Sequence, residues 1–135
     1  MKKIILVLVA FLMIGCQHNS VYDDYVAKIE SMNTVSENLP FKVNVYVDNV
    51  NSERIIYQVV IDEAMEPLKD VKVFVIHNSD KETFPSIGIL DDPISLDEKT
   101  KGINLVGYAN KKETIEFKIY MEVENQEYLT IYNYR

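Results

Sequence analysis

The sequence predicts an all-β protein, an antiparallel β-sandwich of about seven short strands. Three observations carry that expectation. From Phe41 to the C-terminus the apolar residues keep a period of two, the period of strands with one face in a core and one outside it. The composition favours pleated, half-buried surfaces, with many Val and Ile residues and nine tyrosines against four glycines and no tryptophan. Turn-forming clusters interrupt the pattern at short, regular intervals, as hairpin-linked strands require.

Ahead of the strands lies a different kind of segment. Lys2 and Lys3 open the chain, and residues 4–14 form an unbroken apolar run of 11 residues. That is signal-peptide length, and too short to span the ~30 Å core of a bilayer as a helix. Met13-Ile14-Gly15-Cys16 closes the run with a small residue before the only cysteine.

These four residues resemble a bacterial lipobox, and the chain is similar in layout to small bacterial lipoproteins. Gly15 fits that pattern fully, while Met13 and Ile14 are variants where the family prefers Leu and then Ala or Ser. The resemblance implies that residues 1–15 are a signal peptide and that Cys16 is lipidated and becomes the first mature residue. It places the protein at the extracytoplasmic face of the cell membrane. Two or three acyl chains on one residue anchor stably, because each buried CH₂ contributes about 0.8 kcal/mol and one chain holds only marginally. With Cys16 acylated no thiol remains for a disulfide, so the core alone must stabilise the fold.

Residues 16–39 read as the lipidated N-terminus and tether. Within them Val21, Tyr22, Tyr25, Val26, Ile29 and Met32 recur at helical spacing, opposite Asp23, Asp24, Lys28 and Glu30. Either a short amphipathic helix over residues 21–32 or an irregular linker satisfies this pattern. Residues 40–135 form the sandwich domain. Residues 41–47 alternate as a half-buried strand, and residues 48–52 turn the chain. Residues 55–61 are apolar except at Gln58, the pattern of a central strand covered on both faces. Residues 71–76 are the next strand. Residues 84–90 carry Pro85 and Gly88 and read as an edge or bulged segment, ended by Asp91-Asp92-Pro93. Residues 103–108, 114–123 and 128–134 complete the set. This strand count resembles an immunoglobulin-like or fibronectin-type sandwich, although the Cys…Trp…Cys hallmark is absent.

The last two strands form a hairpin whose faces are clear. A two-residue loop at Asn125-Gln126 sets Val123 opposite Tyr128 and Ile119 opposite Tyr132, with the large apolar side chains on the core face. The other face carries charged residues interrupted by Tyr120, Leu129 and Ile131. That apolar patch is either an interaction surface or the seat of residues 21–32.

The function classes narrow by exclusion. The mature chain carries a charge of about −9, which opposes binding to nucleic acid, since phosphate neutralisation needs a basic surplus. A catalytic triad needs a histidine beside a nucleophile, and only His18 in the tether and His77 at a strand end are present. His77 reads as a surface turn residue. No glycine loop cradles phosphate, and no cofactor is implied. Asp91, Asp92, Asp97 and Glu98 cluster in one loop and are the weak candidates for calcium, without the spacing or glycines of an ion-wrapping loop. The expectation is a non-catalytic interaction module for an envelope or surface protein. Binding of a small ligand, sugar or Ca²⁺ through the acidic loops is the alternative.

Overall fold

The computed structural model describes residues 21–62, 64, 66–79, 83–89, 92–96 and 102–135. A helix, α1, spans residues 21–31. Eight strands follow among the described residues: β1 (Lys42–Asn49), β2 (Arg54–Asp62), β3 (Leu68–His77), β4 (Ser86–Ile87), β5 (Ile94–Leu96), β6 (Ile103–Asn110), β7 (Ile115–Val123) and β8 (Gln126–Tyr134). They form two antiparallel sheets, one ordered β1-β2-β6 and the other β4-β3-β7-β8, with β5 also pairing β3. The protein is therefore an all-β sandwich.

The main core lies between the sheets. Ile55, Tyr57, Val59 and Ile61 of β2 interdigitate with Val71, Val73 and Val75 of β3 and with Phe117, Ile119 and Met121 of β7, all buried. Alternation does this: each strand sends every second side chain inward. A second cluster lies on the opposite face of the larger sheet, where Phe74, Ile76, Tyr120 and Leu129 meet Ile29 and its helical neighbours.

The structure corrects two strand expectations. β2 is central, but only its inner face is fully buried; Ile56, Gln58 and Val60 are half-buried on a face that carries no further layer among the described residues. The strand covered on both faces is β3, because α1 packs across the larger sheet and not the smaller one. Residues 94–96, given no strand in the sequence, pair with the start of β3 through a register shift between Leu68 and Val71. Asp70 sits at that irregularity with φ 51°, a conformation that Asp tolerates better than most residues.

The hairpin register differs too. Glu124 and Asn125, at φ 48° and 68°, form the loop, so Val123 faces Gln126, Met121 faces Tyr128 and Phe117 faces Tyr132. Two positive φ values in a row make a type I′ turn, and Asn accepts one of them more readily than Gln does. The shift is two residues, so the faces keep their expected sides.

Candidate functional site

The sandwich has two outer faces, and the chain treats them differently. The outer face of the larger sheet is closed by α1. Its Tyr22, Tyr25, Val26, Ile29 and Met32 pack on Phe74, Ile76, Tyr120, Leu129 and Ile131. The Tyr25 ring lies 6.2 Å from Phe74 and 6.0 Å from Tyr120, and Tyr22 lies 5.1 Å from Phe74. Val21 alone of the expected helical stripe stays exposed. The Tyr120–Leu129–Ile131 patch, one candidate for an interaction surface, is thus the floor on which α1 rests. Tyr120 and Leu129 are fully buried and Ile131 partly so.

Polar contacts fasten this closure at four points, the first near the helix N-terminus, where the Tyr22 hydroxyl accepts from Phe84 N at 2.6 Å. At the helix C-terminus Lys118 is buried, and its Nζ donates to the carbonyls of Glu30 (2.9 Å) and Met32 (2.8 Å) and to Asn33 Oδ1 (3.4 Å). A cation there satisfies carbonyls that have no helical partner and faces the negative end of the helix dipole. In the middle of the helix, Lys28 pairs with Glu127 and lies 5.3 Å from the Tyr120 ring centroid. The Tyr120 hydroxyl donates to Glu122 Oε2 at 2.8 Å. Burial, and then the acidic neighbours Glu122 and Glu127, push its pKa well above that of an ordinary tyrosine. Beyond the helix, Ser36 N donates to the Leu129 carbonyl at 2.9 Å and Ser36 Oγ accepts from Leu129 N at 3.0 Å, tying the linker to the outer edge of β8.

The outer face of β1, β2 and β6 is open. Its rows run Asn44–Val60–Asn104, Tyr46–Gln58–Val106 and Asp48–Ile56–Tyr108. Tyr46 is 58% exposed, Val106 48% and Tyr108 45%. The Arg54 guanidinium lies 5.2 Å from the Tyr108 ring centroid, a cation–π approach. Between Tyr46, Asp48, Ile56, Gln58 and Val106 lies an open depression of about 390 Å³. Aromatic and aliphatic groups ringed by amides and a few charges are what interface cores carry. Alternation along residues 103–108 held the signal, since Val106 and Tyr108 are apolar at the parity opposite to the core residues Ile103 and Leu105.

The remaining sequence candidates fall as follows. Cys16, Asp91, Asp97 and Glu98 lie outside the described residues. Asp92 is exposed, and among the described residues no group of His, Cys, Asp and Glu side chains is placed to hold a metal ion. No described helix is long and apolar enough to cross a membrane. His77, expected in a surface turn, is instead buried at the end of β3 among Phe84 (5.0 Å), Tyr57 (5.5 Å) and Phe117 (5.9 Å), with Nδ1 accepting from Ser79 N. The strand continues one residue further than its apolar run, which carries the ring inside. Compared with known protein families and with curated proteins, the chain shows no match.

Proposed function

We propose that this protein is a membrane-anchored, non-catalytic interaction module, held on the extracytoplasmic face of the cell membrane by lipid on Cys16 and binding a protein through the open face of β1, β2 and β6. The observation that carries the reading is the contrast between the two faces. One apolar face is sealed by the tether helix; the other presents Tyr46, Val106 and Tyr108 to solvent. Exposed aromatic and aliphatic groups grouped on one rigid sheet are a recognised mark of contact surfaces.

The docked helix also sets the geometry of display. Four residues separate Cys16 from Val21, the first helical residue, so five Cα steps give a reach of at most about 18 Å. An acylated Cys16 therefore keeps Val21 and the N-terminal end of α1 within that distance of the bilayer. Replacing Cys16 with Ala is expected to release the protein from the membrane fraction; unchanged fractionation would refute lipidation. Replacing Tyr46 and Val106 together with Asp should abolish partner binding without unfolding, since both side chains are exposed. The depression beside Tyr46 and Asp48 supports a second reading, a sugar or other small ligand seated there, which calls for saturable binding in the isolated protein.

A further inference from the structure

We propose that the occupant of the open face is a second copy of this chain, packed face to face across a two-fold axis that lies in the plane of the sheet and runs across its strands. The inference rests on the reading of this face as an interaction surface and names its partner.

The charge layout is the starting point. The whole chain carries −7, yet the outward positions of β1, β2 and β6 hold two basic residues, Lys42 and Arg54, and two acidic ones, Asp48 and Asp62. The acidic surplus lies elsewhere on the molecule. Two copies that approach through this face bring together neutral surfaces, whereas approach through other faces opposes like charge.

The positions of the four charges then choose the symmetry. Lys42 and Asp62 stand opposite each other at one end of the sheet, while Asp48 and Arg54 lie toward the other. Two isologous packings of the face are available. An axis along the strands stacks β2 on β2 in the same direction, setting Arg54 over Arg54 and Asp62 over Asp62. That arrangement is repulsive at both ends. An axis across the strands through the row Tyr46–Gln58–Val106 reverses the second sheet, so Arg54 of each copy comes over Asp62 of the other. Lys42 then approaches Asp48 of the other copy with an offset of two residues, about 7 Å along the strand, within reach of a lysine stem. Along the same axis Val106 meets Val106, Gln58 meets Gln58 and Ile56 meets Val60. Tyr46 also meets Tyr46, while Tyr108 faces Asn104 and Asp48 faces Asn44; the apolar centre pairs with itself, and each charge lies over its opposite or within reach of it.

The face is small. Strands of eight or nine residues are about 26–30 Å long, and three of them span about 10 Å between the outer axes. The dimer therefore belongs to the weak, transient class, and tethering both copies to one membrane raises their effective concentration.

The test places a photo-crosslinking phenylalanine analogue at Val106, on the proposed axis, in the full chain expressed in bacterial cells. An adduct of twice the monomer mass is the expected result. An adduct of another mass would overturn self-association while leaving the interaction surface standing, and no adduct at all would overturn both. Charge exchange then tests the symmetry. Arg54→Asp or Asp62→Arg alone should reduce the dimer adduct about tenfold, because each creates two like-charge contacts per dimer. The two changes together should restore it to within about twofold of the parent. Failure of the double variant to recover, with melting temperatures unchanged, would refute the proposed axis.

Discussion

Replacing Lys118 with Met tests how α1 is held. The Met side chain keeps most of the volume but removes the ammonium that binds the Glu30 and Met32 carbonyls at 2.9 and 2.8 Å. Charge-assisted hydrogen bonds contribute about 1.5–3 kcal/mol each, so the two amount to roughly 3–6 kcal/mol. Against this stands the desolvation of a buried ammonium, several kcal/mol in itself. A cleft of about 220 Å³ beside Lys118, lined by Glu30, Asn78 and Glu116, would also let water reach the freed carbonyls. The net expectation is a loss of about 2 kcal/mol, concentrated on docking of α1 rather than on the sandwich. Native-state hydrogen exchange reads this directly. Amides of α1 should lose about 30-fold in protection while those of β2 and β7 change little. Wild-type protection throughout α1, with an unchanged urea midpoint, would show that apolar packing alone holds the helix. An equal loss in α1 and the sheets would show that helix and sandwich unfold as one unit.

Two further outcomes follow from the packing of the sheets. Gly107 stands opposite Tyr57 on β2, and a Cβ there would run into the Tyr57 ring, which is wedged 4.8 Å from Phe117 and cannot yield. Gly107→Ala should therefore destabilise by about 2–3 kcal/mol in chemical denaturation, with much of the loss recovered when Tyr57 is changed to Val. The alkaline response isolates Tyr120, whose raised pKa means that the folded chain holds a proton the unfolded chain releases. Its contribution is complete below the ordinary tyrosine value of about 10 and is lost as pH rises above it. Urea midpoints at pH 9 and pH 11 should show a fall that is shallower in Tyr120→Phe; equal slopes would argue against a buried, protonated phenol.

Strand positions were legible because period-two alternation is written residue by residue and hardly depends on what packs across it. Residues 41–47, 71–76 and 114–123 all lie within observed strands or within one residue of them. Turn chemistry was less legible. The choice between Glu124-Asn125 and Asn125-Gln126 rests on φ preferences of a few tenths of a kcal/mol, and both choices put the same side chains in the core. His77 reads as a surface turn residue, and is in fact buried, because a polar residue at a strand end looks solvated until the element that covers it is known; Lys118, on the outer face of the larger sheet, is buried for the same reason.

The sequence by itself determined that the chain is a sandwich, which sides of β1 and of the β7–β8 hairpin face the core, and that tyrosines and aliphatics at helical spacing precede it. Those properties are local, set by side-chain period and backbone preference over a few residues. Only the tertiary structure decided where the stripe lands. Two sheets offered apolar outer faces, one around Phe74 and Tyr120 and one around Tyr46 and Tyr108, and the pattern of neither strand set distinguishes them. The larger sheet took the helix because Lys118, Glu127 and the Phe84 amide stand where Glu30 and Met32, Lys28 and the Tyr22 hydroxyl can meet them. Those contacts join residues more than 60 positions apart. The smaller sheet was left open by that choice, and its exposed tyrosines follow from it.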